Sequence, residues 1–108
     1  KFLLVKAIEY AGGDPGRVIV VSIPDWGYTR FATNHDIEVI SVEIDAFNAV
    51  NAEETKRAGA RYVDVTLVSR MGLEDFELIA GDGLHPSGKM YNLWVDLILP
   101  EAIQILEQ

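Results

Sequence analysis

The segment Val18-Ile19-Val20-Val21-Ser22-Ile23 sets the tightest limit on what this chain can fold into. It is a continuous β-branched run, and such a run suits a strand covered on both faces, as in a parallel sheet. The strand is expected over Arg17 to Ile23 and ends at Pro24, which has no N–H to give a ladder. Asp25-Trp26-Gly27 then opens a loop. A second strand is expected at Arg61-Tyr62-Val63-Asp64-Val65-Thr66. Between the two, from about Asp36 to Ala58, the pattern is helical: Ile40, Ile44, Phe47 and Val50 recur at three- and four-residue steps and form one face. Thr33 or Asn34 is the expected cap, and Gly59 the stop.

The flanks complete the order. Phe2 to Tyr10 reads as a helix apolar on most sides, which needs cover on more than one face. Gly12-Gly13 stops it, and Asp14-Pro15-Gly16 is turn chemistry. A polar, irregular stretch runs from Ser69 to about Ala80, followed by the tight loop Gly81 to Pro86. Ser87 caps a last helix expected to turn Met90, Leu93, Trp94, Leu97 and Ile98 inward and to bend at Pro100. Helix, strand, helix, strand, loop, helix implies a parallel sheet covered on both sides. Two strands are too few to form such a sheet by themselves. The chain also opens at Lys1-Phe2-Leu3-Leu4-Val5, inside an apolar helical pattern and without Met, so a fragment or a processed chain is expected. The compartment is left open on the same ground.

Composition removes several classes of function. With 108 residues, 49% hydrophobic and 24% charged, the chain has the makings of one small globular domain. A net charge of −8 argues against a nucleic-acid partner. Without cysteine there is no disulfide, thiolate nucleophile or cysteine zinc site. No apolar run approaches the ~20 residues of a membrane span.

Chemistry is concentrated in Asp82-Gly83-Leu84-His85-Pro86-Ser87-Gly88. A carboxylate three residues before a histidine, in a glycine-containing loop, can fold back onto the imidazole. Held against Nδ1–H, it fixes the tautomer and leaves Nε2 to take a hydroxyl proton. The loop is expected to follow a strand and precede a helix, at the carboxyl edge where open α/β folds bind ligands. The spacing alone is weak, and a surface turn capped by Asp82 is the plain structural reading.

The flanking residues add to it. Asp82 to Gly88, followed by an aromatic-bearing helix, resembles the last conserved block of the SGNH (GDSL-type) esterase and lipase family. Ser22-Ile23-Pro24-Asp25-Trp26-Gly27 resembles the segment after a central strand in one esterase branch. Glu43-Ile44-Asp45-Ala46-Phe47-Asn48 is similar to its next helix, and Tyr62-Val63-Asp64-Val65 to its last strand. The resemblance implies an α/β, flavodoxin-like three-layer α/β/α sandwich with a parallel sheet, of which residues 1–108 are the C-terminal half. It implies ester hydrolysis by a Ser-His-Asp triad in which His85 is base and Asp82 its acid partner, acting on a small-molecule acyl or acetyl ester, with no cofactor and no metal.

The family's Gly-Asp-Ser and Gly-x-Asn-Asp blocks do not occur here, so the serine is expected from an N-terminal half of the same domain. Ser22, Ser41, Ser69 and Ser87 each have a structural reading, and none sits in a nucleophile elbow. Trp26 and Tyr28 are candidates to line an acyl or leaving-group pocket, against the plainer reading of loop aromatics packed on the core. His35 reads as a residue near a helix start rather than a ligand, and no His-x-x-x-His or carboxylate cluster supports a metal. Asn48 and Asn51 read as structural hydrogen bonders, and Asp64 requires a partner. The alternative class of function is a non-catalytic flavodoxin-like binding or interaction module.

Overall fold

A computed structural model describes residues 1–108 as a mixed α/β domain of four helices and a two-stranded parallel sheet. Strands β1 (Ile19–Val21) and β2 (Arg61–Val63) pair with Ile19 opposite Arg61 and Val21 opposite Val63. The bonds from Arg61 N–H to the Val18 carbonyl (2.9 Å) and from Ser22 N–H to the Val63 carbonyl (3.0 Å) extend the ladder at each end.

Both strands are shorter than expected, because side chains take over the backbone groups at their carboxyl ends. Ile23 N–H donates to Asn48 Oδ1 at 2.8 Å, and its carbonyl accepts from Asn48 Nδ2 and the Thr66 hydroxyl. On β2, Asp64 Oδ1 accepts from the amides of Thr66 (2.7 Å) and Leu67 (3.3 Å), which turns the chain into the short helix α3 (Thr66–Ser69). That is the partner Asp64 required. Asn48 is the structural hydrogen bonder expected, buried between the two strand ends.

Helix α1 (Phe2–Tyr10) has the expected bounds and no buried residue. Helix α2 (Ile37–Ala58) starts later than a Thr33 or Asn34 cap would give. Asp36 is the cap, its carboxylate accepting from Val39 N–H at 3.2 Å, while the Thr33 hydroxyl donates to the Arg30 carbonyl. The buried face of α2 also differs. It follows Ile40, Ile44, Asn48 and Thr55, whereas Phe47 and Val50 are 68% and 62% exposed. Four-residue steps stay on one helix row, and the Asn48 contacts with Ile23 hold that row against β1. Gly59 stops α2 in the left-handed region (φ 79°), its N–H and that of Ala60 bonding the last turn's carbonyls.

Helix α4 (Gly88–Leu106) begins at Ser87, which accepts from Met90 N–H, and continues past Pro100. Met90 is buried and Leu93, Trp94 and Ile98 are partly so, but Leu97 is exposed, contrary to expectation. Neighbouring strand residues point to opposite faces. Arg61 bonds Glu101 and Gln104 of α4, while the Tyr62 hydroxyl bonds the Asn48 carbonyl of α2. The two long helices therefore lie on opposite sides of β2. No helix is long and apolar enough to cross a membrane.

Candidate functional site

The loop expected to carry chemistry does not follow a strand. It follows a single 3₁₀ turn at Phe76–Leu78 and is closed by one antiparallel bridge between Ile79 and Pro86. Ala80 N–H bonds the His85 carbonyl at 2.7 Å, and Ser87 N–H bonds the Leu78 carbonyl at 2.9 Å. Gly83 takes φ 78°, a conformation that side chains disfavour, and this tightens the turn between Asp82 and His85. Its carbonyl accepts from Phe31 N–H at 3.1 Å, tying the loop to the segment after β1. Leu84 and Pro86 line a cavity together with Pro24 and Asp25, which lie just beyond the carboxyl end of β1, so the loop does stand at the carboxyl edge of the sheet.

Within the loop Asp82 folds back as the spacing requires. Oδ1 accepts from the Leu84 and His85 amides, both at 2.9 Å, and Oδ2 lies 2.5 Å from His85 Nδ1. The Leu84 amide, then the His85 imidazole and amide, hold the Asp82 carboxyl down to about 2. An ionised Asp82 requires the proton on Nδ1, and in the neutral imidazole that tautomer leaves the lone pair on Nε2. The His85 side chain is 70% exposed and that of Asp82 51%. This arrangement can accept a proton from a hydroxyl brought to Nε2 and hold the resulting imidazolium against a carboxylate.

None of the serine hydroxyls is available to His85 inside these residues. Ser22 Oγ is buried among Val65, Thr66 and Asp64, and Ser41 Oγ donates to Asp25. Ser69 Oγ donates to the Thr66 carbonyl and Ser87 Oγ to the Glu77 carbonyl.

The two aromatic candidates separate. Trp26 lines the cavity of about 50 Å³ behind the loop and packs edge-on against His35 (5.2 Å) and Phe31 (6.0 Å). Tyr28 does not line it; its carbonyl lies where Gly72 passes too closely for any side chain, 2.6 Å from a Cβ placed there. His35 stands exposed beside Trp26 and Phe31, away from any cluster of ligating groups.

Two features were not legible beforehand. Asp25 is fully buried, its Oδ2 accepting from Arg70 Nε (2.9 Å) and the Ser41 hydroxyl (2.6 Å), while Arg70 also reaches Asp45 at 2.7 Å. Arg70 sits in the stretch that reads only as polar and irregular, so its partner 45 residues earlier left no sequence signal. The second is Trp94, whose spacing on α4 places it inward but does not reveal that its Nε1 has no acceptor. Comparison with family models, curated proteins and solved structures finds no significant match to this chain.

Proposed function

We propose that residues 1–108 supply the acid–base pair of a serine ester hydrolase of the SGNH type, His85 as general base and then general acid, Asp82 as its orienting carboxylate. The observation that carries this reading is the Asp82 Oδ2 to His85 Nδ1 contact with Nε2 left open, at the carboxyl edge of a parallel strand pair. Helices on both sides of β2 support a three-layer α/β/α sandwich as the complete architecture. The nucleophile is a serine from an N-terminal half of the same domain, since the serines here all donate elsewhere. Attack by that hydroxyl on an ester carbonyl passes its proton to Nε2. The imidazolium then returns the proton to the departing alkoxide, and water repeats the cycle on the acyl-enzyme.

The test uses the full-length protein. A fluorophosphonate should label one serine, and 4-nitrophenyl acetate should be hydrolysed with a burst. His85→Ala should remove nearly all turnover, and Asp82→Asn should lower it by about ten-thousandfold through loss of the correct tautomer. Residues 1–108 alone should give neither burst nor labelling. A full-length protein indifferent to His85→Ala overturns the reading.

A further inference from the structure

Arg30 stands beside the Asp82–His85 loop, and none of its guanidinium donors meets a protein acceptor. It opens the 3₁₀ turn Arg30–Ala32, which the bond from Phe31 N–H to the Gly83 carbonyl ties to the loop. Its side chain runs along Gly83, where a Cβ would meet Arg30 Cβ at 3.6 Å and Nε at 3.8 Å. The guanidinium carbon then lies 5.8 Å from the centre of the Phe76 ring. Backbone tie, glycine and ring together hold the guanidinium in place, so less rotamer freedom is left to lose on binding. Lys6, Arg57, Arg61, Arg70 and Lys89 each pair with a carboxylate. Arg30 pairs with none, although the chain has 17 Asp and Glu against 9 Lys and Arg. Arg17 and Lys56 are unpaired too, but they stand at the other edge of the sheet, just before β1 and in the last turn of α2.

We propose that Arg30 is a specificity residue of this site, pairing with a carboxylate on the alcohol half of the ester. A guanidinium presents its N–H donors in a planar fork that meets a carboxylate with two parallel bonds. Gly83 is two residues from His85, roughly 7 Å of backbone at most, which places guanidinium and imidazole within the span of a small substrate. Arg30 and Phe76 are both exposed. That suits the half of the ester that departs first, while the acyl half stays on the serine. The substrate role rests on the esterase reading, and the carboxylate site does not.

Two readouts in the full-length protein test it. In the first, 4-hydroxybenzoate is titrated into ¹⁵N-labelled protein while the arginine Nε–H signals are followed, that of Arg30 being assigned by its loss in Arg30→Gln. Saturable movement of the Arg30 signal is expected, and methyl 4-hydroxybenzoate, which lacks the charge, should leave it in place. In the second, kcat/KM is measured for 4-acetoxybenzoate and for its methyl ester. The charged-to-neutral ratio should fall about fivefold in Arg30→Gln, mostly through KM, which is near the most that an exposed ion pair supplies. A general loss of activity cancels in that ratio, so a merely structural role for Arg30 would not move it. An Arg30 signal unmoved by millimolar 4-hydroxybenzoate overturns the proposal, as does an equal response to the methyl ester or a ratio unchanged by Arg30→Gln. Failure to hydrolyse either ester would sink the esterase reading, and the first readout would still decide the carboxylate site.

Discussion

Asp82 receives three donors from a segment only three residues long, and this is why its part of the site could be read from the chain. Leu84 N–H, His85 N–H and the imidazole all lie within local reach, and Gly83 supplies the turn. Contacts set by tertiary packing were not legible in the same way. Arg70 closes on Asp25 and Asp45 from the C-cap of α3, and nothing near Arg70 in the sequence announces that pairing. Asp82 also gives a signed prediction. Its pKa in the folded loop, about 2, is below its ordinary 3.8. The interactions of the ionised carboxylate are thus complete above about pH 4 and are lost as pH falls through 2. Acid should therefore weaken the loop, and alkali should not. A ¹³C titration of the Asp82 carboxyl should have its midpoint near 2, moving up toward 3.8 in His85→Ala. A midpoint at the ordinary value in the unmodified protein would show that the loop does not hold Asp82 as described.

Elements defined by local backbone chemistry were read well, and those defined by side-chain competition were not. Phe2–Tyr10, the cap at Ser87 and the stop at Gly59 all follow from residues whose effect is confined to one turn. The ends of β1 and β2 were overrun because Asn48, Thr66 and Asp64 capture the backbone groups that a longer strand would use. No periodicity encodes that capture. The same reasoning explains the misplaced start of α2, where Thr33, Asn34 and Asp36 are all competent caps and only Asp36 has its oxygen on an orphan amide. For α2 the C-terminal stop can be measured. Gly59 holds φ 79°, and an added Cβ would also meet Pro15 Cγ at 3.4 Å. Gly59→Ala in the full-length protein should lower unfolding stability by about 1 kcal/mol, read as a lower urea midpoint at unchanged slope. No change in midpoint would mean that the left-handed cap contributes nothing.

The molecule as a whole exposes the faces its sequence asks to bury. Helix α1 has no buried residue, and Phe2, Leu3, Phe47 and Leu106 are all more than half exposed. The buried core cluster is Ala32, Ile40 and Ile44, with Trp26 packed on it. The radius of gyration is 15.2 Å, and the extents are 43 × 26 × 18 Å. A compact domain of this length has a radius near 13 Å. A parallel strand pair needs cover that two strands and these helices do not complete. Contiguous apolar surface beyond a few hundred Å² (roughly) is unusual on soluble monomers and drives association. Residues 1–108 produced alone should therefore bind a hydrophobic dye, elute from a sizing column as self-associated species and melt without a sharp transition. Joined to the proposed N-terminal half, the same residues should melt cooperatively and lose the dye. A monodisperse 108-residue monomer with a cooperative thermal transition and no dye binding would show that the exposed faces need no partner.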